Sequence, residues 1–166
     1  MVWPSLQVKL RRGRMSDVDA LLRLERQAFK AEPLSRRSLR HFLISPHATF
    51  IVAEDRGTLA GYVLLRFSSR HALARVYSIA VHRNFRRVGL GTCLLAAADK
   101  DATRHRCRAI RLEVRHYAWP AIRLYKRSGY LCFGEYPEYY EERFKALRFE
   151  KLLHPEPRGR RGVSPR

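Results

Sequence analysis

The sequence predicts an α+β or α/β domain with a mixed, mostly antiparallel sheet of about six or seven strands and helices on both faces. Three observations lead there. Two helical stretches of amphipathic spacing come early, over residues 17–29 and 35–44. A β-rich run with a hairpin signal follows them, up to residue 81. Helical and strand patterns then alternate before a last pair of strands. The order βααβββαβαββ calls for one sheet packed by helices on two sides. At 166 residues, 46% apolar, the chain suits a single compact domain.

The elements follow in order. Residues 7–12 alternate well enough for a first strand. Met15-Ser16-Asp17 opens a helix, and Ser16 with Asp19 has the S-x-x-D spacing of a capping box. Val18, Leu21, Leu22, Leu24, Ala28 and Phe29 recur at helical spacing. Ser35 can cap a second helix through Leu39, Phe42, Leu43 and Ile44, which Pro46 stops. Runs at 49–54 and 59–67 flank Asp55-Arg56-Gly57 and read as a hairpin. Residues 74–81 make another strand, 90–105 a helix and 109–114 a strand. Pro120 suits the first turn of a helix ending near Ser128-Gly129, where its missing N–H costs nothing. Residues 130–136 and 144–153 make the closing pair of strands. The domain is expected to span 1–153. The segment 154–166, HPEPRGRRGVSPR, has no apolar period and is expected to be a disordered basic tail.

Charge is the unusual bulk property: 34 basic residues against 15 acidic, +19 formally. Such a field attracts polyanions and repels small cations, so nucleic acid bound non-specifically, a ribosomal surface or an acidic protein are the partners it favours. An arginine-rich proteome with a solvated surface explains the same balance. No long uncharged apolar run indicates a membrane span, and the N-terminal stretch lacks a signal-peptide pattern. Cys93, Cys107 and Cys132 show no metal spacing and are expected to be reduced, mostly buried thiols of a cytoplasmic protein, with no metal.

The stretch NFRRVGLGTCLL, residues 84–95, places glycines and arginines just ahead of a helix. It is not a Walker A loop, because Thr92-Cys93 follows Gly91 instead of Lys-Ser/Thr. A dinucleotide fingerprint would need glycine at Leu94. What remains is R-x-x-G-x-G at Arg86, Gly89 and Gly91. Glycines let a diphosphate approach the main chain, and the helix-start N–H groups and dipole favour an anion. An ordinary strand–helix turn also favours glycine there.

VYSIAVHRNFRRVGLGTCLL resembles the acyl-CoA-binding segment of the GNAT superfamily of N-acetyltransferases, LEVRHYAWPAIRLYKRSGY resembles their next strand and helix, and EYPEYYEERFKALRFEKLL their closing segment. The likeness covers about residues 7–153 and is greatest to RimI-type protein N-terminal acetyltransferases. It implies a GNAT-like domain with acetyl-CoA as donor. The backbone at Val88, Gly89, Leu90, Gly91 and Thr92, with Arg86 and Arg87, would hold the pyrophosphate. The strand end Ala80-Val81 would pair with the pantetheine arm, and the Val81 N–H would polarise the thioester carbonyl. Glu113 would be the general base, acting through water, and Tyr125 the proton donor to the leaving thiolate. Tyr139 and Tyr140 would shape the acceptor channel.

The residues themselves are consistent with these roles and leave alternatives open. Glu113 points away from its neighbours Leu112 and Val114 on a strand, and pairing with Arg111 or Arg115 on a wet face is the other reading. A phenol such as Tyr125 stays protonated at neutral pH and its spacing from Glu113 fits the acid role, with core packing as the other reading. Tyr139 and Tyr140 are as well explained by surface between strands. RimI-type sequences carry asparagine where Ala118 stands, so the helix start and the coenzyme contacts depart from the pattern here. The acceptor expected is a protein or peptide amine, N-terminal or lysine, of ribosomal or acidic type. A small-molecule amine, or an arginine-rich nucleic-acid or ribosome-associated binding module on the same scaffold, are the alternatives. Either a monomer or a homodimer fits.

Overall fold

The computed structural model describes residues 7–136 and 145–154. Its elements are β1 (Val8–Arg12), α1 (Val18–Ala28), α2 (Arg36–Ile44), β2 (Ala48–Asp55), β3 (Thr58–Ser68), β4 (Leu73–Val81), α3 (Leu90–Arg104), β5 (Ala109–Arg115), α4 (Trp119–Arg127), β6 (Leu131–Tyr136) and β7 (Ala146–Leu152). The strands form one seven-stranded sheet in the order β1-β2-β3-β4-β5-β7-β6. Every pairing is antiparallel except β4 with β5. The expected basic tail from residue 155 lies outside the described residues.

β3 is buried on both faces, so its sequence reads as a continuous apolar run. Tyr62 and Leu64 pack with Leu21, Leu24 and Leu39 of α1 and α2. Val63 and Leu65 face the other way, onto Leu94, Leu95 and Ala98 of α3 and Ile122 and Tyr125 of α4. The β2–β3 turn holds Arg56 at φ 49° and Gly57 at φ 82°, the left-handed pair that a two-residue hairpin needs.

Two local expectations change. The S-x-x-D box does not form. Met15–Asp17 is a 3₁₀ turn, and the Asp17 carboxylate accepts from the Arg14 N–H at 2.7 Å and from the Arg11 guanidinium. Asp19 instead pairs with Arg36 of α2, at 2.5 Å. A charge-assisted bond to Arg36 is a stronger partner for Asp19 than one more backbone amide. Only Cys107 is buried; Cys93 and Cys132 are exposed. The Ser35 cap holds as expected, with the Ser38 N–H donating to its Oγ at 3.1 Å.

Two irregularities position the rest. The β3–β4 register slips so that Leu64 opposes Ser78 while Leu65 opposes Val76. This bulge leaves Tyr77 as the extra residue. Tyr77 packs at a tilt against the Phe42 ring of α2, 5.1 Å between centroids, and its neighbour Ser78 turns to the same helix-covered side, toward Glu25. The second irregularity is the short β4–β5 pairing, which runs only from Leu73 with Ala109 to Arg75 with Arg111. Beyond Arg75 and Arg111 the two strands part.

Glu25 of α1 is 1% exposed. One carboxylate oxygen accepts from the Leu34 N–H at 2.7 Å; the other meets the Tyr62 hydroxyl and, at 3.2 Å, the Ser78 hydroxyl. Burial holds its pKa above the usual carboxylate range. The unfolded chain therefore ionises first, and stability falls as pH rises from about 4.5 through the folded value. An amide can accept from Leu34 and donate to a hydroxyl without charge. Glu25→Gln is expected to melt higher than the parent at pH 8, by about 1–3 kcal/mol, with the difference vanishing below pH 4.5. Thermal melts between pH 4 and pH 8 read this directly.

Candidate active site

The parting of β4 and β5 opens a gap in the sheet. The His82 N–H donates to the Ala60 carbonyl across the β3–β4 ladder at 2.8 Å. Antiparallel hydrogen bonding alternates along a strand. The backbone groups of Ile79 and Val81 therefore face away from β3, into the gap. The Arg86 Nε confirms the direction, donating to the outward Val81 carbonyl at 3.3 Å. The Val81 and Ile79 N–H groups form a row of donors on an edge that β5 does not cover.

The chain leaves β4 through a 3₁₀ turn, Arg83–Phe85, and enters α3 at the same end of the gap. Gly89 caps α3 at φ 81°, and a side chain there would meet nothing within 4 Å. Glycine is needed for the backbone angle, and the space beside it is open. Arg87 also has positive φ, 63°. Arg86, Arg87, Gly89 and Thr92 are exposed, and the N–H groups of the first turn have no acceptor within the helix. The sequence motif treated both glycines alike; the geometry separates them. A Cβ on Gly91 would lie 2.9 Å from Leu124 Cδ2, so Gly91 lets α3 and α4 approach. Leu90 is buried and Val88 packs against the core, so their side chains face inward, away from the open space beside Gly89.

Glu113 projects from β5 on the face opposite the buried Leu112. Its partner is neither Arg111 nor Arg115 but Arg75, across the mouth of the gap, at 2.5 Å. The Glu113 side chain is 30% exposed. Arg148 of β7 stands opposite it in register. Tyr125 lies on the other face, 6% exposed, with its ring 6.1 Å from Tyr130 and 6.2 Å from Phe149. Burial pushes its phenol up to about 12. The two residues thus flank β5 from opposite sides of the sheet. α4 starts at Ala118 with no side-chain cap, and Pro120 sits in its first turn. Tyr139 and Tyr140 lie outside the described residues.

Sequence reasoning did not reach Arg75, Ser78 or Arg148. Arg75 sits on an ordinary strand, and only the splay brings it to Glu113. The bulge that turns Ser78 inward leaves no periodic signal.

Among the described residues no cluster of His, Cys, Asp or Glu fits a metal ion, and no helix is long and apolar enough to cross a membrane. The family model described as "Acetyltransferase (GNAT) family" matches residues 17–130. An N-alpha-acetyltransferase of Sulfurisphaera tokodaii is 34% identical over 135 residues, 75% of this chain and 80% of that protein. A Bacillus subtilis protein, provisionally named a ribosomal protein bS18-alanine N-acetyltransferase, is 31% identical over 134 residues, 80% of this chain and 87% of that one. The ribosomal-protein-S18-alanine N-acetyltransferase from Escherichia coli shares the fold, with a TM-score of 0.79 at 20% identity over 92% of this chain and 98% of that one.

Proposed function

This chain belongs to the GNAT family of acetyltransferases, and from that premise we propose that it moves an acetyl group from acetyl-CoA to the α-amine of a polypeptide N-terminus. The observation that carries the reading is the gap between β4 and β5, with outward amides on one wall and a carboxylate on the other. Such a gap admits an extended acyl-bearing arm and an amine that meets it side-on.

The residues fit the donor. Its phosphates suit the helix-start amides at Val88–Thr92, with the exposed Arg86 and Arg87 beside them. Its arm suits the strand end at Ala80-Val81, where the outward Val81 N–H is placed to stabilise negative charge on the acyl oxygen. Acetyl-CoA supplies an activated thioester, so no covalent enzyme intermediate is required. The chain's own residues do the rest. Glu113 takes a proton from the incoming ammonium, directly or through water. The Arg75 guanidinium holds that carboxylate at the mouth of the gap. Tyr125, protonated through the whole physiological range, hands its proton to the departing sulfur. Positioning two substrates in one slot supplies several kcal/mol more.

The test is a panel of peptides with free or blocked N-termini and with or without lysine, incubated with acetyl-CoA and read by mass spectrometry. An added acetyl group on free N-termini alone is expected. Labelling confined to lysine would move the acceptor to side chains; no labelling, with small amines acetylated instead, would reject the peptide acceptor.

Donor binding has its own readout. Acetyl-CoA is expected to raise the melting temperature as ligand linkage requires. Gly89→Val forces a β-branched residue to φ 81°, costing about 1–2 kcal/mol. It is expected to weaken acetyl-CoA binding at least tenfold by calorimetry. Unchanged affinity would detach Gly89 from the donor site.

A further inference from the structure

The face of the sheet that carries Glu113 also carries four arginines from four different strands: Arg66 of β3, Arg75 of β4, Arg111 of β5 and Arg148 of β7. With Glu113 and Phe133 they line a cleft of about 310 Å³. Arg75 is paired with Glu113 and Arg111 with Glu150, each at 2.5 Å. Among the described residues Arg66 and Arg148 have no carboxylate partner. They are not loose, however. Arg66 lies over the rings of Phe42, at 5.7 Å, and Tyr77, at 5.4 Å. Arg148 lies over Phe133, at 4.7 Å, and Tyr136, at 4.5 Å. Arg111 shares the Phe133 ring at 5.1 Å.

Aromatic shelves fix a guanidinium's plane without using its N–H donors. A guanidinium held so, with its hydrogen-bonding edge uncommitted, is prepared for a carboxylate in bidentate geometry. The cleft is therefore polar in a defined sense: one carboxylate at the gap, guanidiniums along the approach. A ligand that matches it presents an ammonium group first and acids close behind.

We propose that this cleft is the acceptor subsite and selects polypeptide N-termini with acidic side chains within their first few residues, a reading that rests on the acetyl transfer proposed above. Arg148 and Arg66 take the acceptor's carboxylates while Glu113 takes its amine. Arg111, bridged to Glu150, does not compete for Glu113.

The test compares octapeptides with a free serine N-terminus whose positions 2–4 are all glutamate, all glutamine or all lysine. The glutamate peptide is expected to show at least tenfold higher kcat/KM than its glutamine isostere, with the lysine peptide lowest. The same peptides already N-acetylated, followed by fluorescence anisotropy, are expected to bind in the same order. Arg148→Gln with Arg66→Gln is expected to bring the glutamate-to-glutamine ratio close to one. Arg127→Gln, on an exposed position of α4, removes the same charge elsewhere and is expected to keep the ratio, which separates the cleft from the protein's overall +19 field. Equal kcat/KM for the glutamate and glutamine peptides would overturn the proposal, as would a ratio that survives the double variant. Displacement of the peptide by a single-stranded RNA oligomer, lost in Arg148→Gln, would overturn it in favour of a nucleic-acid site. Ordered binding without any acetyl transfer would leave the cleft as assigned and reject the acetylation reading instead.

Discussion

Glu113→Gln is expected to lower kcat by about 10²- to 10⁴-fold, the usual worth of a positioned base, while leaving acetyl-CoA affinity unchanged. Glutamine keeps the shape and loses only the ability to take a proton. Its hydrogen bonding to Arg75 can persist through the amide oxygen, so the mouth of the gap stays in place. The signature lies in the pH profile. An α-amine has a pKa near 8, so below pH 7 almost every acceptor arrives protonated and the defect is at its largest. Above pH 9 the amine arrives neutral, and the variant is expected to recover much of the parental rate. Steady-state kinetics from pH 6 to pH 10 measure both limbs. A defect of constant size across that range would make Glu113 a partner of Arg75 and nothing more.

Tyr125→Phe is expected to cost about 10²-fold in kcat with the fold intact, because only a hydroxyl is removed from a side chain otherwise held by the Tyr130 and Phe149 rings. The same substitution carries a stability readout. Burial lifts the Tyr125 phenol from 10 to about 12. Deprotonation above pH 10 then favours the unfolded chain, whose phenol ionises first. The contribution is complete below pH 10 and is lost as pH rises toward 12, by about 2–3 kcal/mol in all. Tyr130 shifts in the same direction, through burial and then the charge of Asp99. The parent's melting temperature is expected to fall steeply above pH 10, and Tyr125→Phe to fall less. Parallel curves for the two proteins would show that the hydroxyl is not buried in solution.

Much of this architecture is readable in the chain because each element announces itself locally. The Ser35 cap, the Arg56-Gly57 turn and the Pro120 helix start sit where their side chains and backbone angles demand. The S-x-x-D pattern at Ser16 misled because its acid, Asp19, is taken by Arg36 of the next helix. Pattern reading has no access to such a partner. The site divides the same way. Glu113 and the Gly89 turn belong to short motifs, whereas Arg75, Arg66 and Arg148 come from three strands that only the sheet order unites. Gly91 shows a third case, a motif position whose local reason is the neighbouring Leu124 of another helix.

The last described strand sits between β5 and β6, and this order constrains how the enzyme is born. β1 to β4 pair with successive neighbours and can assemble while synthesis continues. β5 gains its full-length partner only when β7 has emerged, and that partner covers every residue of β5 from Ala109 to Arg115. Until then the strand bearing Glu113 is held to the growing sheet by three residue pairs alone. The wall of the gap that carries Glu113 is therefore completed only after β7 has been delivered, well after the other wall on β4 is in place.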